Sequence, residues 1–212
     1  MSKTLYILVY IKRLLLHSAS TIISSHSLSM YYKSFWFFLP IVYTTLFYYT
    51  SKVMHFVILE NIRSAYNVGN IIRTADALGW WVVISWYTAR PSSQPKVAKS
   101  SLGAEKSVTI IEMEDLRETQ PALDRAKKND LTLVAAEITE SSTNLVSFTQ
   151  EMSTLTNVSY GVVFGNEVQW VEQTTLDTVD YIVHIPMLWV KSSLNVWQSC
   201  AILMRELSKN QS

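Results

Sequence analysis

Polar side chains able to do chemistry gather in this sequence directly after apolar runs. Asn61 to Arg63 follow HFVILE (55–60), Asn166 and Glu167 follow YGVVFG (160–165), and Lys191 to Asn195 follow YIVHIP (181–186). A carboxylate after a Gly-Asn turn, as at Glu167, can meet a bound ligand through both its side chain and the turn backbone. Taken alone it reads equally as a solvated loop acid, and SSLN (192–195) as a helix cap with a buried Leu. Arg73 alone reads as a helix-surface cation paired to a carboxylate. Cys200 is the single cysteine, which excludes an internal disulfide and a cysteine-rich zinc site. Its neighbours Ala201, Ile202 and Leu203 are apolar, so it reads as a small buried thiol in a reducing compartment. There is no GxGxxG, P-loop or HExxH, so dinucleotide, nucleotide triphosphatase and zinc-protease readings have no motif behind them.

The elements that must position these groups alternate between strand-like and helix-like periodicity. HFVILE reads as a buried strand. NVGNIIRTADALG (67–79) sets Val68, Ile71, Ile72, Ala75 and Leu78 at helical spacing, with Asn67 as N-cap and Gly79 as stop signal. VVIS (82–85) and VTII (108–111) read as strands separated by a polar loop containing Pro91 and Pro95. PALDRAKKND (121–130) reads as a helix with Pro121 near its first turn. LTLVAAEI (131–138), YGVVFG and YIVHIP read as strands, and a last helix over roughly 194–207 has Ser192 and Ser193 as capping candidates. Strands alternating with helices imply an α/β fold, a mostly parallel sheet covered on both faces, in which ligands bind beyond the carboxyl ends of the strands.

Charge divides the 212 residues into unlike pieces. The total is 18 basic against 17 acidic residues, yet residues 1–53 hold Lys3, Lys12, Arg13, Lys33 and Lys52 with no acid, leaving 13 basic against 17 acidic beyond them. The first piece has two apolar stretches around a Ser-rich middle. It fits a marginal membrane anchor, a targeting segment or translated upstream sequence. The last is preferred, with 54–212 as the native domain, because Met54 stands directly before the first strand of the regular pattern.

The blocks NIRSAYNVGNIIRTADALG (61–79), KSSLGAEKSV (99–108), VVFGNEVQ (162–169) and IPMLWVKSSLNV (185–196) resemble, in order and spacing, the SpoU (TrmH-like) family of RNA ribose methyltransferases of the SPOUT superfamily. The resemblance implies a parallel sheet flanked by helices with a C-terminal deep trefoil knot, an exception to the unknotted rule. It implies a homodimer with the cofactor sites near the interface, S-adenosylmethionine as methyl donor, no metal, and a ribose 2'-hydroxyl in tRNA or rRNA as acceptor, in the cytoplasm. With no appended RNA-recognition domain after Met54, a small target such as a tRNA loop is preferred. Such a reaction needs in-line attack at close range and an exit for the hydroxyl proton. By resemblance Arg73 assists that deprotonation and Asn67 orients the hydroxyl and RNA backbone. An RNA phosphate paired with the guanidinium would ease the mismatch of arginine's very high pKa. Glu167, Ser193 and Asn195 are the other active-site candidates, and Gly165, Asn166, Ile185, Met187 and Leu194 the cofactor contacts. Arg63, Arg90, Lys96 and Lys99, with Lys106, supply a basic patch for RNA. The competing reading is a non-catalytic RNA-binding or assembly protein on the same scaffold.

Departures from the family pattern share a residue type. Trp86, Trp170 and Trp189 stand where the pattern has glycine, and Trp197, with Trp80 or Trp81, where a small or non-aromatic residue is expected. The domain holds all 5 glycines and 6 of the 7 tryptophans, a lopsided ratio for a fold rich in tight turns. UGA codons read as glycine in the source organism and as tryptophan in this translation would account for it. Genuine tryptophans would instead mean an altered cofactor pocket.

Overall fold

The computed structural model describes residues 53–85, 87–113, 119–166, 168–190 and 192–209. The readings of residues 1–52, Trp86, Glu167 and Lys191 therefore lie outside the described residues. Among the described residues seven parallel strands form one sheet: β1 (Phe56–Glu60), β2 (Trp81–Ser85), β3 (Ile110–Glu112), β4 (Thr132–Ala136), β5 (Thr143–Asn144), β6 (Tyr160–Phe164) and β7 (Tyr181–His184). Their spatial order is β3-β2-β1-β6-β4-β7-β5. The late strands are thus inserted among early ones: β6 pairs with β1 (Val57 opposite Val162) and with β4 (Val134 opposite Val162). Strand β7 in turn pairs with β4 and β5.

Strand residues alternate between two cores, as the two-residue period requires. Val57, Leu59, Val82, Ile84, Val134, Val162 and Phe164 face α1 (Ala65–Leu78), α4 (Leu145–Met152) and α6 (Val196–Leu207). Ile58, Val83, Leu133, Ala135 and Val163 pack with α3 (Gln120–Lys127) and the residues around α5 (Gln173–Leu176). Because both faces are covered, the central strands read as continuous apolar runs. Cys200 is fully buried in the first core, and burial pushes its thiol pKa up, which fits the packing reading.

Several boundaries differ from the sequence reading. The cap of α1 is Ser64, whose hydroxyl accepts from the Asn67 N–H; Asn67 lies inside the first turn instead of capping it. Gly79 does end the helix, at φ 72°. The loop expected around Pro95 contains α2 (Pro95–Ser101), where proline in the first turn costs nothing because that N–H has no helical partner. This helix lies so close to α1 that a Cβ on Gly69 would fall 2.6 Å from the Val97 carbonyl oxygen, so glycine at 69 permits the contact. α4, β5 and α5 are additional to the sequence reading. The cap of α6 is Asn195, with Ser192 and Ser193 preceding it.

At the opposite end of the sheet from the polar clusters, His55 is buried between Trp80 (ring centroids 4.6 Å apart) and Tyr160 (5.4 Å). Its Nδ1 accepts from the Tyr160 N–H at 3.0 Å, while Nε2 has no partner among the described residues, and burial lowers the ring's pKa to about 4 and so favours the neutral form. The unfolded chain then binds one more proton between about pH 6.5 and 4. Stability is fully present above about 6.5 and drains as pH falls through that window, by up to roughly 1.4 kcal/mol per pH unit. Urea midpoints measured from pH 7.5 to 4.5 are expected to show this slope, and His55→Gln to flatten it; an unchanged slope in the variant would assign it to carboxylates.

Candidate functional site

A cavity of about 320 Å³ opens at the carboxyl ends of the adjacent strands β6, β4 and β7, where sheet order places a crevice for ligands. Phe164, Gly165 and Asn166 enter it from β6, Ala136 to Ile138 from β4, and Val183 to Ile185 with Met187 from β7. Ser193, Leu194 and Asn195 close another side together with Val196, Ser199 and Leu203 of α6. Gly165, Asn166, Ile185, Met187 and Leu194, the expected cofactor contacts, all line the cavity, as do Ser193 and Asn195. Asn67 and Arg73 do not. They sit on α1, Asn67 buried and Arg73 exposed, six residues apart and so on different faces of the helix.

Asn166 builds the loop that follows β6. Its Oδ1 accepts from the N–H groups of Val168 (2.7 Å) and Gln169 (3.1 Å), and its own carbonyl accepts from the Trp170 N–H (2.8 Å). A short side-chain amide can do this because it imitates a backbone turn. The loop then folds back onto Gly165 so tightly that a Cβ there would lie 2.3 Å from the Trp170 carbonyl oxygen. Glycine at 165 is thus required by the return of the chain. Asn195 is bound similarly to backbone: its Oδ1 accepts from the Trp197 N–H at 3.1 Å, which aims the α6 N-terminus and its partial positive charge at the cavity side.

Glu137 and His184 are polar lining residues that the sequence does not mark as site residues. Glu137 accepts from the Ile138 N–H at 2.8 Å and the Val171 N–H at 3.2 Å, so it ties the loop after Trp170 to the end of β4. His184 contacts the Ser142 hydroxyl through Nδ1 at 2.9 Å. In the sequence both fall inside strand-like runs, LTLVAAEI and YIVHIP, and the signal available for them is a polar side chain near the carboxyl end of each run. Among the described residues no group of three His, Cys, Asp or Glu could hold a metal ion.

Of the basic residues expected to meet RNA, Arg63, Lys96 and Lys99 are exposed. Arg90 is engaged internally, with Nη2 donating to the Met113 carbonyl at 3.0 Å and Nη1 3.5 Å from Glu112. Its charge is partly compensated, so its first role is to fasten the chain after β2 to β3.

The tryptophans separate into distinct groups. Trp80 is fully buried, stacked on His55, and donates through Nε1 to Ser208 at 2.9 Å, and Trp81 packs edge-on against Phe56; both are integral aromatic positions. Trp189 is 90% exposed and does not fill the cavity. Trp170 lines the cavity and takes φ 65°, the left-handed region that a bulky side chain adopts at a cost of about 1–2 kcal/mol. The backbone at Trp170 is thus one that favours glycine. Trp170→Gly is expected to raise the unfolding free energy by about 0.5–1 kcal/mol, the strain relief less the greater freedom of unfolded glycine. Trp170→Ala, which keeps the strain, is expected to give no gain; equal effects of the two variants in urea titrations would rule strain out.

The SpoU rRNA Methylase family model matches residues 54–205. A Staphylococcus epidermidis protein of the TrmH tRNA/rRNA methyltransferase family is 28% identical over 155 residues, covering 73% of this chain. The chain spans 58% of that relative's length. The SpoU methyltransferase AviRb from Streptomyces viridochromogenes has the same fold at TM-score 0.64 and 23% identity, over 74% of this chain and 60% of that one. Its complex with the cofactor AdoMet gives 0.61 at the same identity, over 74% and 57%. The A. aeolicus TrmH/SpoU tRNA modifying enzyme gives 0.63 at 22% identity, over 80% of this chain and 84% of that one. Since the match begins just before the first strand and ends within the last helix, the chain belongs to the SpoU rRNA methylase family.

Proposed function

We propose that this protein methylates a ribose 2'-hydroxyl of tRNA or rRNA, using S-adenosylmethionine bound in the cavity at the ends of β6, β4 and β7. The observation that carries the proposal is the convergence of Gly165, Asn166, Ile185, Met187, Ser193, Leu194 and Asn195, drawn from separate sequence blocks, on that one cavity. The residues fit such a group. The volume of about 320 Å³ lies within the usual range for small-molecule sites, and the lining pairs apolar walls (Phe164, Ile185, Leu194) with turn backbone and the α6 N-terminus. AviRb, of the same fold, has been solved with AdoMet.

When bound, the sulfonium group supplies an electrophilic methyl. The chain's own residues have the remaining tasks. Main-chain groups around Ile185 and Met187 enclose the ligand, and Leu194 and Ile185 exclude water from it. Arg73 is exposed and, among the described residues, has no hydrogen-bond or ion-pair partner, leaving its guanidinium open to an RNA phosphate and the hydroxyl proton. Asn67, buried on another face of α1, keeps from the family resemblance the role of orienting the RNA. Glu167 remains a candidate for the same active site. Arg63, Lys96 and Lys99 form the phosphate-contacting face, with Arg90 a lesser contributor.

The same reading includes a homodimer: Leu188, Trp189 and Val190 are each more than 85% exposed at consecutive positions beside the cavity, an apolar stretch suited to burial against a second copy. It also includes a deep trefoil knot, supported by the insertion of β6 and β7 between earlier strands, and action in the cytoplasm, supported by the lone buried cysteine. No helix among the described residues is long and apolar enough to cross a membrane.

Calorimetry with S-adenosylmethionine, followed by mass spectrometry of nucleosides from RNA incubated with both, tests the reading. The expected results are cofactor binding, 2'-O-methylnucleoside formation, at least ~10-fold weaker binding in Gly165→Ala, and a fall of at least ~100-fold in turnover in Arg73→Ala with binding kept. A folded protein that binds RNA and not the cofactor would overturn the enzyme reading in favour of a non-catalytic RNA-binding scaffold.

A further inference from the structure

Asn61 is 2% exposed, takes φ 56° and joins three parts of the molecule. Its Nδ2 donates to Gln169 Oε1 at 3.0 Å. Its Oδ1 accepts from Arg63 Nε at 3.2 Å. Its carbonyl accepts from Asn166 Nδ2 at 2.8 Å. Asparagine suits this position because it is among the few residues that enter the left-handed region readily while carrying both a donor and an acceptor.

On one side the partners belong to the 165–170 loop. Asn166 lines the cavity and fixes Gln169 through its backbone N–H at 3.1 Å, so Gln169 moves with the cavity wall. On the other side stands Arg63, exposed, with Nε committed to Asn61 and both terminal nitrogens without a partner among the described residues. A guanidinium gripped at Nε keeps its fork in one plane, which favours bidentate phosphate contact. We infer that Asn61 is a positioning residue that couples the cavity loop to Arg63, so that filling the cavity sets the guanidinium for RNA and RNA reciprocally favours the filled cavity. The inference rests on the cofactor reading of the cavity.

The test is the Nε–Hε resonance of Arg63 in ¹⁵N NMR spectra of the full chain, assigned with Arg63→Lys and titrated with S-adenosylhomocysteine, which cannot react. The resonance is expected to shift on titration along with the amides of 165–170. In Asn61→Gly, which tolerates the same backbone and removes both side-chain bonds, the loop amides still respond and the Arg63 shift is lost. Asn61→Asp keeps the acceptor for Arg63 and lets Gln169 turn its amide to donate, so it restores the shift. A loop response with no Arg63 response in the wild type, or one that survives in Asn61→Gly, overturns the coupling alone. No response anywhere in the wild type overturns the cofactor reading and the coupling with it.

Discussion

Strand β6 hydrogen-bonds to β1 on one side, in register over Gly161–Phe164, and to β4 on the other, over Tyr160–Val163. Buried at the centre of the sheet, this short strand has no room to slip, because a one-residue shift would exchange Val162 and Val163 between the two cores. Its fixed register places Gly165 and Asn166 at the sheet's carboxyl edge, and β4 and β7 bring Glu137 and His184 to the same level. The cavity is a consequence of that alignment. It would not exist if β6 lay at the edge of the sheet, next to its chain neighbour alone.

Beyond the strand ends, side-chain amides organise the backbone. Asn166 holds its own loop, Asn61 receives that loop, and Asn195 starts the helix that forms another wall. A buried carboxylate in the same places would carry a desolvation cost that a neutral amide avoids. Glu60 illustrates the cost. It is 1% exposed, with one oxygen accepting from Thr119 and Thr175 and the other without a partner among the described residues, and burial pushes its pKa up. The asparagines of the motifs are therefore structural as well as chemical, and substituting them disturbs the walls along with any contact to ligand.

The tryptophans show why composition and conformation must be read together. Replacement of glycine is harmful where the backbone needs a positive φ or where another chain segment touches the missing Cβ, and both conditions meet in the 165–170 loop. Gly165 meets the second and Trp170 the first. Trp189 meets neither requirement, since it is nearly fully exposed at an ordinary φ, so its cost there lies in solvent contact. Trp80 and Trp81 have specific aromatic partners, and a small residue at 80 would leave the His55 ring without one wall of its enclosure.

Periodicity alone was enough to locate the strands of both cores and the α1 and α6 helices, because continuous apolar runs and 3.6-residue spacing are local consequences of burial. The ordering of the polar clusters after strand ends was also legible, and it was the resemblance of the motif blocks to the SpoU family that named Gly165, Asn166, Ile185, Met187, Ser193, Leu194 and Asn195 from the sequence. The cap at Ser64, the short helix beginning at Pro95, and α4 were not legible, since their signals are weak and tertiary packing decides them. Glu137 and His184 were hidden because nothing in a linear run says which strand ends will be neighbours. By itself the sequence determined the main strands, the α1, α3 and α6 helices, and the family to which they belong. The tertiary structure alone decided that β6 and β7 enter between earlier strands, and that Asn61, more than a hundred residues from Asn166, supports the same wall, because strand order is set by long-range pairing that leaves no local trace.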